Sequence, residues 1–437
     1  MFGSSSDLAT WLEASTSWDG HERQRAVGEL GRRMDARALP ALLVRANDWV
    51  PQVRREAREA VFRFIEDGYV EAWLLALPQL EALYRARRAQ HGELIEAVEA
   101  LLSKPAHLGR LVSALREPSR FMRRWLFGLR LKAVQSEAEH DALLGAALKG
   151  ADIAVAVKAW AEAQKAASIE RRLSLAAAAC ASRFASLRIG GLRWAAALAA
   201  EAATNLLRAH CFDPSAGVRA LAFASLSGAD RAAVLSLAVS RVGDAQGSPR
   251  DRSTALALLS LANHPEAEPL CRAACASSAP VLRRAGYAGR LAAASAASLD
   301  GLILEVMSDP SAKVRRLAVE KVKRGAPAPD TEALLALARS DVGLLRQVLQ
   351  LATLASPWQR LLVVLQLLVE LSSESQQGTL IAEVSRWCVD AERCFLVPTV
   401  RQQEALATHW QRARALLPEA QARRVAFHLE QFKVSVL

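Results

Sequence analysis

The sequence predicts an all-helical protein built as an α-solenoid, a stack of antiparallel helix pairs, and two observations support this prediction. The first is composition: of 437 residues, 52% are hydrophobic but only 5% are aromatic, and the abundance of alanine and leucine favours helices over sheets. The second is an internal repeat. The segments DPSAGVRALAFASL (213–226) and DPSAKVRRLAVEKV (309–322) nearly superimpose, and their 96-residue separation equals three units of 32 residues.

A basic residue near the start of the second helix marks each repeat. From Arg219 onward the copies follow one another at intervals of 31 to 33 residues, whereas one earlier step of 69 residues hides a further unit. The marking residues are Arg54, Arg123, Lys158, Arg193, Arg219, Arg252, Arg283, Arg315 and Arg346.

Two further regularities predict the internal structure of each repeat. An acidic residue stands six positions before the basic one in five copies, where its carboxylate can cap the second helix. Apolar residues fall at −1, +3 and +7 from the basic residue, which is a stripe of helical period. The clearest stripes are Val53, Ala57 and Val61; Val218, Ala222 and Leu226; and Val314, Ala318 and Val322. Each unit is therefore predicted as helix, turn, helix, and neighbouring units must stack to bury the stripe.

The Asp-Pro turn, the Val-Arg pair and the alanine at +3 resemble the HEAT-repeat superfamily, and the short period is similar to bacterial, phycobilisome-lyase-type HEAT-like repeats. The resemblance covers roughly residues 18–355. It implies a structural ladder of hydrogen bonds between adjacent repeats. Three copies depart from this pattern, because no acid stands six residues before Arg193, Arg252 or Arg283. The implied ladder pairs are Asp48 with Arg54, Glu117 with Arg123, Asp152 with Lys158, Asp213 with Arg219, and Asp309 with Arg315.

The two ends of the chain are predicted to differ from the middle. Residues 1–355 are predicted to form the repeat solenoid, including an N-terminal capping helix in residues 1–17 that begins near Ser6 or Asp7. After residue 355 the period fades. Residues 356–437 are predicted to be a divergent helical cap or, alternatively, a specialised interaction module, because a terminal repeat has one face toward water.

Charge and cysteine content bear on the kind of partner and on the cellular compartment. The formal net charge is +11, and 47 of the 56 basic residues are arginine. The excess is spread along the chain, which permits weak attraction to nucleic acid without requiring it. The six cysteines are scattered like structural thiols, and the first residues lack an ordinary secretion signal. The apolar stretch 361–371 is too short to span a bilayer. We expect a cytoplasmic protein without a disulfide framework.

Motifs for catalysis are missing from the sequence. There is no Gly-rich phosphate loop, no GxSxG and no HExxH. Cys271 and Cys275 share a helix face, but no nearby histidine completes a metal site. We therefore expect a non-enzymatic protein with no cofactor and no metal. An enzyme is the less favoured alternative, since distant residues can still meet across a solenoid's concave face.

Four arginines that directly follow the marking residue are candidates for partner binding. A helix turns its next residue by about 100°, so these side chains point away from the ladder, toward the concave side that second helices form in HEAT-like arrays. A row of guanidinium groups suits carboxylate or phosphate recognition. The structural alternative is pairing with nearby acids such as Glu56, Glu59 and Glu320. The four candidates are Arg55, Arg124, Arg284 and Arg316.

Three tryptophans form the second candidate set. Trp125, Trp160 and Trp194 are separated by 35 and 34 residues, each one or two positions beyond a marking residue. Beside arginines, such a stripe can anchor a peptide or stack on bases. Leu221 and Leu317 stand at the same helix position in other units, which favours packing between repeats over binding.

The leading functional hypothesis is a scaffold or adaptor that binds a protein partner on its concave face or through its C-terminal part. A long repeat array without catalytic motifs motivates it. The alternative is a nucleic-acid-binding protein, because some HEAT-like bacterial DNA glycosylases hold a duplex in a basic groove. No residue of this chain matches their catalytic centre.

Overall fold

The computed structural model describes residues 5–86, 88–115, 117–198, 201–371, 373–393 and 395–434. Across these residues every regular element is a helix. The chain divides into two compact units, unit 1 at Met1–Leu207 and unit 2 at Arg208–Leu437. The predicted all-α class is confirmed.

The first helix of unit 1 spans Ser5–Ala14, and helix pairs follow it; its role as a cap stays a prediction. Its short 3-10 turns lie at Ala36–Ala38 and Asp67–Tyr69. The α-helices are α1 (Ser5–Ala14), α2 (Gly20–Arg33), α3 (Leu39–Arg45), α4 (Pro51–Phe62), α5 (Val70–Leu75), α6 (Leu77–Arg85), α7 (Gly92–Leu102), α8 (Pro105–Ala114), α9 (Arg120–Ala133), α10 (Glu137–Lys149), α11 (Ile153–Ala163), α12 (Ile169–Cys180) and α13 (Ala185–Leu198).

The helix that follows, α14 (Glu201–His210), contains the boundary between the units. Unit 2 has 3-10 turns at Val342–Leu344 and Arg414–Leu416. Its α-helices are α15 (Ala216–Ala224), α16 (Gly228–Gly243), α17 (Pro249–Leu261), α18 (Ala267–Cys275), α19 (Pro280–Ala293), α20 (Ala296–Met307), α21 (Ala312–Lys323), α22 (Thr331–Ser340), α23 (Leu345–Ala355), α24 (Pro357–Glu370), α25 (Glu374–Ala391), α26 (Val400–Ala413) and α27 (Glu419–Gln431).

Within unit 1 the second helices of the repeats are α2, α4, α7, α9, α11 and α13. Each packs beside the next: α2 contacts α4, α9 contacts α11, and α11 contacts α13. Arg58 of α4 approaches Glu93 of α7, and Trp125 of α9 donates to Glu99 of α7. The unit hidden in the 69-residue step is thus α5, α6 and α7, where α5 and α6 together replace one first helix.

In unit 2 the helix pairs of successive repeats are α16 with α17, α18 with α19, α20 with α21, and α22 with α23. The second helices α15, α17, α19, α21 and α23 also contact one another in sequence. Each unit is therefore a segment of α-solenoid, as the repeat predicted.

The predicted apolar stripes form the core. Val53, Ala57 and Val61 are fully buried, and so are Val218 and Val314 in unit 2. Because these side chains project from second helices at helical period, each repeat covers the next. The apolar core of unit 2 runs from Tyr287 to Val434 without a break at residue 355, and the predicted boundary at 355/356 stays a prediction.

The turn acids cap the second helices in two ways. Asp152 is a true N-cap, since its carboxylate accepts the N–H groups of Ala154 and Val155. Asp48 and Asp309 accept the N–H two residues later, at 2.9 and 2.7 Å. That N–H belongs to the residue just before the helix, so these two acids fix the turn rather than the helix terminus. No helix in the described ranges has both the length and the apolar content to cross a bilayer.

Candidate functional site: repeat turns, second-helix arginines and the α9 cleft

The ladder is closed at the turn that contains Asp48. Arg23, on the preceding second helix, donates from Nε and Nη2 to the two carboxylate oxygens of Asp48 at 3.0 and 2.9 Å. Arg45 donates to the same carboxylate at 2.9 Å. The Arg23 and Asp48 side chains are 2% and 1% exposed. This is a bidentate ion pair that joins one repeat to the next.

The same joint recurs in unit 2. Arg283 of α19 donates from Nε and Nη2 to Asp309 at 2.8 and 3.0 Å, with 13% of the arginine side chain exposed. Burial alone would raise the pKa of Asp309, but the hydrogen bonds from Arg283 and the Ser311 N–H outweigh it. The pKa of Asp309 therefore lies below its ordinary value.

In three of the five implied ladder pairs, the arginine reaches the turn acid six residues earlier through the backbone. Arg54 donates to the main-chain oxygen of Asp48 at 2.7 Å, not to its carboxylate. Arg219 and Arg315 donate likewise to the main-chain oxygens of Asp213 and Asp309, at 2.7 and 2.8 Å. The carboxylates of Asp48 and Asp309 bind the arginine of the previous repeat instead.

A backbone acceptor explains why some turns need no acid. Arg283 donates to the main-chain oxygen of Ser277 at 3.0 Å, although no acid precedes it at the expected offset. In α13 the equivalent arginine is Arg188, which donates to Ser182 O at 3.0 Å. Arg193, the residue that sequence spacing selected, is exposed. The acceptor in these two turns is a main-chain carbonyl oxygen, which every residue has. A search for acidic residues therefore could not find them.

Two of the five ladder pairs are not formed. Glu117 is exposed and makes no contact with Arg123 in the part of the chain that the structure describes; Ser119 caps α9 in its place. Lys158 does not reach Asp152, and its ammonium group lies over Gly128 of α9. Lysine is shorter than arginine and lacks the planar fork that spans a carboxylate and a carbonyl together.

The four candidate arginines lie on second helices and are exposed. Arg124 approaches Asp152, with Nε 3.4 Å from the carboxylate. For Arg55, Arg284 and Arg316 the described residues provide no ion pair, neither with Glu56 and Glu59 nor with Glu320. The structural alternative of local pairing therefore does not account for these three side chains.

The three tryptophans take positions in the packing. Trp125 is 7% exposed and donates its indole N–H to Glu99 at 3.0 Å, so a surface partner would not reach its ring. Trp160 and Trp194 are half-buried and pack against each other, with ring centroids 4.8 Å apart. This is the packing between repeats that Leu221 and Leu317 suggested for the same helix position.

One cleft in unit 1 was not foreseen from the sequence. We name it the α9 cleft: a cavity of about 610 Å³ between α9, the end of α10 and the start of α11. Its rim carries four arginines of α9 and its floor is mostly apolar. The lining residues are Arg120, Arg123, Arg124, Leu126, Phe127, Arg130, Leu143, Ala146, Ala147, Gly150, Ala151, Asp152, Ile153 and Val155.

The sequence contains a signal for this cleft that the repeat pattern obscured. Arg120, Arg123, Phe127 and Arg130 are spaced by three or four residues, which places them on one face of α9. The search for repeated positions selected Arg124 alone. A helical-face analysis of α9 would have added Arg120 and Arg130.

A second buried ion cluster lies in unit 2. Arg360, 5% exposed, donates to Glu383 at 2.7 Å and to Asp390 at 2.6 Å. Arg386 donates to the other oxygen of Glu383 at 2.9 Å. This cluster joins α24 to α25 as Arg23 and Asp48 join α2 to the turn before α4, so the tail uses the same kind of joint.

Two tryptophans outside the predicted stripe are exposed at successive turns. Trp18 is 91% exposed and Trp49 is 65% exposed. The Arg23 guanidinium lies 5.2 Å from the centre of the Trp49 ring, a cation–π distance. Among the described residues no group of three or more histidine, cysteine or carboxylate side chains has the geometry to hold a metal ion.

No protein-family model matches the chain, and no curated protein matches it in sequence. The structures that it is similar to include the following three. A homology model of the full-length AP-3 complex has 13% identity over 100% of this chain and 86% of that chain, with a TM-score of 0.29. The S. pombe condensin Cnd3–Cnd2 subcomplex has 13% identity over 99% and 76%, with a TM-score of 0.28. Kap121p bound to Pho4p has 10% identity over 99% and 44%, with a TM-score of 0.27.

Similarities at such low TM-scores support no argument, so the class assignment depends on the geometry within each unit. The second helices of successive repeats pack against each other, and an arginine of one repeat forms an ion pair with the turn acid of the next. The architecture is that of HEAT-like helical repeats. The finer resemblance to phycobilisome-lyase-type repeats stays a prediction.

Proposed function

We propose that this protein is a non-enzymatic repeat scaffold that binds a protein partner on the surface formed by its second helices. One observation carries the proposal: Arg284 and Arg316 of unit 2 stand at the same position of neighbouring repeats, are exposed, and form no ion pair with the described residues. Arg55 shows the same features within unit 1. Solvated cations repeated at one structural position within a unit suit a partner with acidic groups at matching intervals.

The arginine that precedes each candidate has a different role, which supports the proposal. Arg283 and Arg315 point into the turns, where they hold backbone oxygens. Arg284 and Arg316 come one residue later and therefore point about 100° away from those turns. Because α19 and α21 contact each other, these two side chains belong to neighbouring helices of one layer.

The thiols support the proposed cytoplasmic setting. Among the described residues, Cys180, Cys211, Cys271, Cys275 and Cys388 form no disulfide, as expected in a reducing compartment. Burial raises the pKa of Cys211 to about 12, so this thiol stays protonated and unreactive at neutral pH.

A proximity-labelling and co-purification experiment tests the proposal. The tagged full chain is compared with R284E/R316E and with R241E/R272E, a control that makes the same charge change on the first helices α16 and α18. We expect one set of proteins to be lost with R284E/R316E and kept with the control. Equal recovery with all three chains would remove the support for this surface.

Nucleic acid is the alternative partner, supported by the net charge of +11. Electrophoretic mobility of a DNA duplex and a single strand across a salt series distinguishes the two. Binding through phosphates weakens steeply as salt rises. A duplex shift at 150 mM salt that R284E/R316E abolishes would replace the protein-binding proposal.

A further inference from the structure

We infer that the α9 cleft binds an acidic amphipathic peptide segment, in which a bulky apolar side chain is flanked by carboxylates. The inference rests on the proposed function, since it names a site and a chemistry for a protein partner. However, it concerns other residues than the proposed function does, and a different measurement tests it.

The charge on the rim defines the sign of the ligand. The basic residues of the lining, Arg120, Arg123, Arg124 and Arg130, all come from α9, and Asp152 is the one acid in the lining. The Asp152 carboxylate is already engaged by two backbone N–H groups, and lies 3.9 Å from Arg123 and 3.4 Å from Arg124.

Two of the rim arginines are left without a counterion. Arg120 and Arg130 are exposed, and no described residue forms an ion pair with either of them. An anionic ligand would supply the missing charge and accept the hydrogen bonds of their planar guanidinium groups.

The floor defines the apolar part of the ligand. Phe127 and Leu143 are the buried apolar side chains of the lining, Ala147 is half-buried and Ala146 is exposed. The two alanines leave space that larger side chains would fill. Ile153, at the edge, is 45% exposed. An apolar lining with small side chains, below a rim of arginines, is the kind of pocket that receives an aromatic or leucine anchor from a partner.

The spacing of the arginines favours a polypeptide over a small anion. Arg120 and Arg130 are ten residues apart on one helix, which is about 15 Å. A small amphiphile has one anionic head and needs cations that converge on one point. Three or four guanidinium groups along such a length match several carboxylates of a peptide. Nucleic acid would match the charge but would make no use of the apolar floor.

The test is a displayed library of random 16-residue peptides, selected on the full chain. Enriched peptides are then synthesised and their affinities measured for four proteins. These are the wild type, R120E/R130E, A146W, and R25E/R183E. The last makes the same charge change at two exposed arginines of unit 1 outside the cleft. Circular dichroism and a thermal melt verify that each variant is folded.

We expect the enriched peptides to combine acidic residues with a bulky apolar one. Their affinity should fall about tenfold or more with R120E/R130E, because reversed charges then oppose the carboxylates. It should also fall with A146W, which obstructs the cleft from an exposed lining position without changing charge, and stay unchanged with R25E/R183E.

Three results would overturn the inference. One is enrichment of no acidic peptide, and another is equal binding by the cleft variants. The third is a loss with R120E/R130E but none with A146W, which means that charge alone attracts the ligand, as for nucleic acid. Because Arg284 and Arg316 are intact in every variant, failure here leaves the proposed function to its own experiment.

Discussion

Two turns of unit 1 carry the same acidic residue and use it differently. At Asp48 the carboxylate is buried and held by Arg23 and Arg45. At Asp152 the carboxylate caps α11, and the arginines of the preceding helix stay loose. Arg123 is 49% exposed and 3.9 Å away, whereas Arg23 is 2% exposed and in bidentate contact.

The difference shows that an arginine in this array has one of two roles. An arginine that closes a turn is buried in the ion pair between repeats and is not available to a partner. Where no bidentate ion pair forms, as at Asp152, the arginines of α9 line a cleft instead. Net charge therefore overstates the basic surface, because the arginines that close turns do not contribute to it.

Removing the carboxylate of the closed turn should have the largest effect. D48A leaves the buried Arg23 guanidinium without its counterion, which costs about 3–5 kcal/mol for a buried pair. Urea unfolding of the full chain, followed by circular dichroism, measures the loss. A change below 1 kcal/mol would mean that Arg23 finds another acceptor, and the contrast between the turns would disappear.

Low pH should reduce the stability that the Asp48–Arg23 ion pair contributes to the closed turn. Burial acts to raise the pKa of Asp48, but hydrogen bonds from Arg23 and the Val50 N–H outweigh it, so the folded pKa lies below the ordinary 3.8. A lowered folded pKa contributes stability that is present above 3.8 and is lost as the pH falls through the folded value.

The gap in unfolding midpoint between wild type and D48N should therefore be constant from pH 7 to 5 and shrink below pH 4. Urea unfolding in a pH series measures it, with D152N as the matched variant. A gap that widens as the pH falls would contradict the assignment of Asp48 as a charged partner of Arg23.

The open turn should tolerate the same substitution better. D152A removes an N-cap and two weak contacts with half-exposed arginines, for a loss of about 1 kcal/mol. The same urea experiment measures it. If D152A costs as much as D48A, the Asp152 turn is as closed as the first one.

The smallest effect on stability is expected for the cleft arginines. R120E/R130E changes two exposed residues that no described side chain pairs with, so the free energy of unfolding should change by about 0.5 kcal/mol or less. Thermal and urea melts of this variant beside R25E/R183E measure it. A large loss would assign Arg120 and Arg130 to the joint rather than to binding.

Much of the fold was predictable because it depends on local period. The 32-residue repeat predicted the helix pairs, and the stripe that includes Val53 and Val314 predicted the core. The ladder was predicted in position but not in chemistry. Sequence spacing paired Asp48 with Arg54, whereas the carboxylate binds Arg23, 25 residues earlier.

The site was less predictable, for a physical reason that the cleft illustrates. Arg55, Arg124, Arg284 and Arg316 were selected as repeated positions and are exposed. The α9 cleft is lined by residues of α9, α10 and α11. How three helices pack around such a space depends on the volumes of side chains far apart in the sequence, which no spacing rule encodes.

By itself, the sequence determined a helical array, its period and its buried stripe, because these follow from propensity and periodicity within about thirty residues. The tertiary structure alone decided which acid each arginine meets and which arginines are left to solvent. A guanidinium is bound or free according to burial and to acceptors that arrive from another repeat, and those are properties of the stack.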